Sequence, residues 1–404
     1  MEASGSDAEQ RAGRVLAVAA IYGANASGKS NVLAALRFMR DAVLQSYRIW
    51  SPDGGVPRDP FAWGAHAGES SLYEVSFLAE GVRYDYGFVV DDERVLEEWL
   101  HASPMGRKQT WFEREGNDFK FGEHLRGENR AVERLTRTNA LFLSTAVQAG
   151  HEQLERIFRW FRTMHTHAVL AAPGTYSFRL AMDEDVPSLT IGQQRHLFDT
   201  LNDAASSEHM ARFRELLRAA DVGILDFKLQ KPEDEELGAR GRRRARFRIL
   251  LQHRSNDRDR WLSLDEESHG TQQLFRLAPL ILHVLRKGGV LVIDELEASF
   301  HPLLALHIVR TFNDPAKNPK NAQLIFSTHD TNLLGTTLGE PSLRREQVWL
   351  TERDDEGVTK LYPLTDFKPR KAENLERGYL QGRYGAIPFL GELADVATAA
   401  KKEP

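Results

Sequence analysis

Arg14 to Asn31 reads RVLAVAAIYGANASGKSN. The apolar run from Arg14 to Tyr22 stops at a glycine, and the NVLAALRFMRDAVL that follows places apolar residues at three-to-four spacing, so the stretch predicts strand, loop, helix. Inside it, Gly23-Ala24-Asn25-Ala26-Ser27-Gly28-Lys29-Ser30 fits G-x-x-x-x-G-K-[ST] between a strand and a helix, the setting in which that pattern cradles phosphate. The glycines let the backbone curl until its N–H groups converge on an anion, and the helix starting near Lys29 adds its positive dipole end. Lys29 is placed to contact the β- and γ-phosphates and the Ser30 hydroxyl to ligate Mg²⁺, with Asn31 closing the set. Lys29 is also expected to face solvent when no phosphate is bound.

Downstream, Val290 to Glu295, VLVIDE, reads as a buried strand that delivers Asp294 and Glu295 at its carboxyl end, where open α/β sheets bind ligands. Asp294 can hold the metal, and Glu295 can polarise a water for attack on the γ-phosphate. A second apolar strand, Gln323 to Asp330, QLIFSTHD, carries His329, a candidate γ-phosphate contact. Ser268-His269-Gly270-Thr271-Gln272 precedes an apolar helix; such small residues either cap the helix or expose its N–H groups to an anion. Strands alternating with helices imply a parallel sheet.

Between these landmarks the pattern changes. From about Ser71 to Arg114 the pieces SLYEVSFLAE, VRYDYGFVV and KQTWFER alternate like strands of an antiparallel sheet. Gly122 to Ala220 has helical spacing and reads as an insertion. The segment PEDEELGARGRRRARFR, an acidic run followed by Arg240, Arg242, Arg243, Arg244, Arg246 and Arg248, is either a solvated hairpin of mixed charge or a patch for nucleic-acid phosphates.

The bulk numbers narrow the class. In 404 residues, 41% hydrophobic and 27% charged, no apolar run reaches membrane length, so membrane partners are not expected. The start, MEASGSDAEQRA, has neither the basic residues nor the apolar run of a secretory signal, which predicts a cytoplasmic protein. With no Cys, disulfides, thiolate catalysis and Cys-bound zinc are excluded. A net charge of -5 means that any nucleic-acid surface is local.

The order of these motifs resembles the head domain of ABC-type ATPases. GANASGKSN, SHGTQQL, VLVIDELEASFHP, QLIFSTHD and the tail YLQGRYGAIPFL are similar, more specifically, to the bacterial AAA-type ATP-binding proteins of phage-defence operons, such as the ATPase subunits of the PARIS and Rlo systems. The resemblance implies ATP and Mg²⁺ as cofactors and a homodimer in which Ser268 and Gly270 contact the γ-phosphate of an ATP held by the other subunit. Glu297 to Pro302 would face that subunit, and Gln148 is the candidate for the glutamine that links the two lobes. It also implies a sensor ATPase that controls an operon-encoded nuclease or other effector; the competing reading is a DNA-repair ATPase that binds ends or gaps. Family members carry a strand or two before the P-loop strand, whereas 22 residues precede Gly23 here, so an internal start or a missing sheet edge is expected and the adenine-stacking aromatic is unassigned.

The expected architecture is therefore α/β, a P-loop NTPase head of ABC type with a flanking antiparallel sheet and a helical insertion. Residues 13–120 would form the N-terminal lobe with that sheet and 121–225 the insertion. Residues 226–368 would form the C-terminal lobe, and 369–404 the tail with its GRYGAIP motif.

Overall fold

The computed structural model describes residues 15–64, 66–167, 211, 213–215, 217–218, 223–230, 236–237, 243–244, 248–254, 260–298, 300–370 and 373–388. Strand β1 (Val18–Gly23) leads through the loop into helix α1 (Lys29–Gln45). A meander follows: β2 (Ser71–Ala79), β3 (Val82–Val90), β4 (Val95–Ser103), β5 (Gln109–Glu115) and β6 (Asp118–Phe121), every neighbouring pair antiparallel. Helices α2 (Asn129–Leu135), α3 (Phe142–Gln148) and α4 (Glu152–Arg162) come next, then β7 (Met164–His167). The strands β8 (Ile224–Gln230), β9 (Glu236–Leu237), β10 (Arg243–Arg244), β11 (Arg248–His253) and β12 (Trp261–Ser263) precede helix α5 (His269–Lys287). The chain closes with β13 (Val290–Ile293), α6 (Pro302–Asn313), β14 (Gln323–Ser327), β15 (Val348–Arg353), β16 (Thr359–Pro363) and α7 (Leu375–Leu380).

The central sheet has the order β16-β15-β1-β14-β13-β7, with β16 antiparallel to β15 and every other neighbouring pair parallel. Its inner strands β1 and β13 are apolar on both faces because both faces are covered. Val18, Ala20, Leu291 and Ile293 point toward a core shared with Leu277, Ile281 and Val284 of α5 and with Ala305, Val309 and Phe312 of α6. Ile21, Val290 and Val292 point the other way, against Leu33 of α1. Helix α1 is a divider. Its first turns face this sheet, while Met39, Ala42 and Val43 join the aromatic core of the antiparallel sheet, where Tyr84, Tyr86, Phe88 and Phe112 meet Phe142, Ile157 and Phe161 of α3 and α4.

The α/β class, the parallel sheet and the separate antiparallel sheet are those expected from sequence. Two expected strands are shorter than the motifs they carry: β13 ends at Ile293 and β14 at Ser327, which leaves Asp294, Glu295 and His329 on the loops beyond. Residues 168–210 of the helical insertion lie outside the described residues. Of the arginine-rich segment, Arg240, Arg242 and Arg246 also lie outside them. Arg243 and Arg244 pair antiparallel with Leu237 and Glu236, the backbone geometry of a hairpin, and Arg248 begins β11.

Candidate functional site

The site grows from the register of three adjacent parallel strands. Ile21 of β1 is opposite Ser327 of β14, and Phe326 of β14 is opposite Ile293 of β13, so the loops after all three open side by side at the carboxyl edge. The loop after β1 winds tightly. Ala26 and Gly28 take left-handed φ angles of 61° and 99°, and Gly28 is the N-cap of α1. At Gly28 a side chain would be strained by that φ and would also collide with Thr359. Alternation of hand in a short loop turns successive N–H groups inward, which makes an anion-binding concavity.

Two threonines from β15 and β16, which the sequence reading did not single out, pin this loop. Ser27 Oγ lies 2.7 Å from Thr351 Oγ1, the Thr351 hydroxyl donates to Tyr22 O at 3.2 Å, and the Thr359 hydroxyl donates to Ser27 O at 3.0 Å. No local pattern could have revealed them, because 324 residues separate Ser27 from Thr351.

Lys29 does not face solvent. It is 6% exposed, and its ammonium donates to Gly23 O at 2.9 Å and Ala24 O at 3.0 Å. The expectation of a solvent-facing lysine fails because the curled loop offers two carbonyl acceptors within reach of the ε-ammonium. Burial lowers the Lys29 pKa, opposed by the charges of Glu295, Glu297 and Asp294. The cation and the three carboxylates therefore share one electrostatic environment. Ser30 and Asn31 are exposed in the first turn of α1.

At the neighbouring ends of β13 and β14, Ser327 ties the acidic pair down. Its hydroxyl donates to Asp294 Oδ1 at 2.5 Å and accepts from Glu295 N at 2.7 Å. Glu295 has φ 53°, a left-handed conformation in which a glutamate carries strain, as residues at functional sites often do. The backbone N–H of His329 donates to Glu297 Oε1 at 2.5 Å. The imidazole of His329 is held below its ordinary pKa by burial and then by the Lys29 charge, against the pull of Glu297, Glu295 and Asp294. Lys29, Asp294, Glu295 and His329, read separately from sequence, are thus brought into mutual electrostatic range.

Ser268 and Gly270 sit at the start of α5, whose first turns, through Leu274 and Phe275, pack with Phe227 of β8 and Leu251 of β11. Ser268 is the N-cap of α5; its Oγ accepts from Thr271 N at 3.1 Å and lies 2.9 Å from Thr271 Oγ1. At about 1.5 Å of rise per residue, Ser268 is displaced about 13 Å along the helix from Leu277, which packs beneath the central sheet. Gln148 ends α3 and lines a cavity of about 250 Å³ with Gly150, His151, Glu155 and Arg162, to which no residue of the phosphate loop contributes.

The donors present suit a small hard cation only in company. Among the described residues no group of three His, Cys, Asp or Glu side chains could hold a metal. One carboxylate, Asp294, and one hydroxyl, Ser30, supply oxygen ligands of the kind that Mg²⁺ takes while keeping water and phosphate oxygens in its shell. The residues fit Mg²⁺ bound together with a nucleotide.

The tail motif packs behind the phosphate loop. The buried Tyr384 donates to Glu373 Oε1 at 2.6 Å, Ala386 N donates to Glu352 Oε1 at 2.6 Å, and Tyr379 meets the ring of Tyr22 edge-on at 5.5 Å. Tyr379 is therefore the buttress of the residue that precedes Gly23, and GRYGAIP holds it through Ala386 O, which accepts from the Tyr379 hydroxyl at 3.1 Å.

Several solved structures resemble the chain distantly. The Smc head bound to the C-winged helix domain of ScpA is 15% identical, with 86% of this chain and 89% of that one covered and a TM-score of 0.42. The SMC head domain from Thermotoga maritima is 16% identical over 85% and 89%, with a TM-score of 0.35. An Smc head with an extended coiled coil, bound to the C-terminal domain of ScpA, from Pyrococcus furiosus is 14% identical over 91% and 92%, with a TM-score of 0.33. No curated protein matches the chain significantly. A family model described as "AAA domain, putative AbiEii toxin, Type IV TA system" matches residues 18–335. That match takes in 318 of the 404 residues, from β1 past His329, and the chain belongs to this family of AAA-domain ATPases.

Proposed function

We propose that this ATPase binds ATP and Mg²⁺ at the carboxyl edge of β1, β13 and β14 and hydrolyses it as a head dimer that regulates a toxic nuclease partner in anti-phage defence. The observation that carries the chemical part is that Lys29, Asp294, Glu295 and His329 lie just past the carboxyl ends of three neighbouring parallel strands, beside a left-handed phosphate loop. In this reading Gly23 to Asn31 wrap the phosphates and Lys29 leaves the Gly23 and Ala24 carbonyls for the β- and γ-phosphate oxygens. Ser30 and Asp294 hold Mg²⁺. When bound, the cation neutralises charge on the β- and γ-phosphates. Glu295 accepts a hydrogen bond from the attacking water and so orients it, and His329 contacts the γ-phosphate.

The dimer is supported by the position of Ser268 and Gly270 at the exposed start of a helix, whose N–H groups would meet the γ-phosphate of an ATP on a second copy. The defence role is supported by the sequence motifs of the tail and by the family description, which names a toxin–antitoxin system.

Calorimetry with ATP tests the chemical part. Lys29→Ala should abolish the binding heat that the wild type gives, and Glu295→Gln should retain binding while losing turnover. Unchanged ATP affinity in Lys29→Ala would refute the phosphate-loop assignment. The genes beside this one test the biological part: a nuclease gene supports defence, and a permease gene would count against it.

A further inference from the structure

Glu297 lies three residues past Asp294 and belongs to no part of the nucleotide chemistry described above. Its two oxygens differ. Oε1 accepts from the backbone N–H of His329 at 2.5 Å, while Oε2 is buried and has no hydrogen-bond partner among the described residues. A carboxylate serving only to end a turn would be solvated, and a buried acceptor without a donor is tolerated chiefly where function retains it. The charge of Glu297 acts on Lys29, on His329 and on Tyr22, so this carboxylate lies within electrostatic range of all three.

The backbone around it explains what the contact does. Ser327 already joins the two strand ends by bridging Asp294 and Glu295, and Thr328 N donates to Ile21 O of β1 at 3.0 Å. Beyond Thr328, the next peptide N–H, that of His329, is held by Glu297. The flanking residues are held elsewhere, Asp330 O by the Tyr22 hydroxyl at 2.9 Å and Ser327 O by Leu296 N at 3.0 Å, so the Glu297 bond is the tie from the acidic loop to the His329 peptide itself.

We propose that Glu297 is a positioning residue for ATP hydrolysis: it fixes the His329 peptide against the Asp294–Glu295 loop and so sets the imidazole at the γ-phosphate. The inference rests on the ATPase reading of the site.

A double-mutant cycle on ATP turnover tests it. Glu297→Ala and His329→Ala should each lower kcat by about a hundredfold, the scale of a misplaced catalytic group, with ATP affinity nearly unchanged, and the double variant should lose no more than either single one. Glu297→Gln keeps an oxygen acceptor for the His329 N–H and should stay closer to wild type than to Glu297→Ala. Glu297→Asp, which retains the charge but falls a methylene short, should resemble Glu297→Ala; it also serves if thermal unfolding shows that the alanine variant does not fold. Losses that multiply in the double variant, or wild-type kcat in Glu297→Asp, would overturn the proposal. Lys29→Ala reports on the ATPase reading separately: if it binds ATP like the wild type, the reading of the site fails regardless of how the Glu297 series behaves.

Discussion

At the residue scale, the phosphate loop behaves as a small structure braced from far away. Lys29 was legible in sequence because the eight residues of its motif are contiguous, and the curl they need is local. The brace was not legible. Thr351 and Thr359 have ordinary strand composition around them, and only the pairing of β1 with β15 and of β15 with β16 brings them to the loop. The same holds for the hydrogen bond between His329 and Glu297, set by the register of β13 against β14. Thr351→Val is a direct probe of the brace. It keeps the shape of the buried side chain but removes the hydroxyl shared by Ser27 Oγ and Tyr22 O, which should cost about 1 to 2 kcal/mol in denaturant unfolding and weaken ATP binding by a smaller factor than Lys29→Ala. If Thr351→Val leaves both stability and ATP affinity at wild-type values, the brace has no energetic role.

At the element scale, β7 shows how a boundary drawn from periodicity differs from one drawn by packing. Helical spacing runs through HEQLERIFRWFRTMH, yet Met164 to His167 leave the helix and add a parallel edge strand beside β13. Met164 is buried in the core against Val290 and Val292, and that burial overrides the helical pattern. The edge carries a titratable pair: His165 stacks edge-on against His283 of α5 at 5.1 Å, and burial, then His283, then Arg40 push the His165 pKa down from 6.5 to about 4. Between these values the unfolded chain binds a proton that the folded chain excludes. Stability contributed by neutral His165 is therefore complete above pH 6.5 and is lost as the pH falls toward 4, by up to about 3 kcal/mol. Unfolding free energies measured at pH 7 and pH 5 should show about 2 kcal/mol of that loss, and His165→Leu should reduce the difference. An unaltered pH dependence in His165→Leu would contradict the assignment.

At the scale of the whole molecule, the fold divides the work between layers. The central sheet gathers the phosphate loop, the acidic pair and His329, α1 joins that sheet to the aromatic core of the meander, and α5 packs its first turns with β8 and β11 while rooting its other half beneath the sheet. In the proposed dimer, the sheet edge of one copy would supply one half of an ATP sandwich and the α5 start of the other copy the second half, so two copies related by a twofold axis would complete two sites. Ser268→Arg should then spare ATP binding by the single chain while blocking closure. Glu295→Gln should accumulate ATP-bound dimers in sedimentation velocity, because it binds but does not turn over. The most direct test is steady-state ATP turnover by an equimolar mixture of Lys29→Ala and Ser268→Arg chains. Each variant alone should be inactive, and the mixture should recover roughly a quarter of the wild-type rate, since half of the randomly formed dimers would contain one intact site out of two. Wild-type turnover by Ser268→Arg on its own would contradict the account.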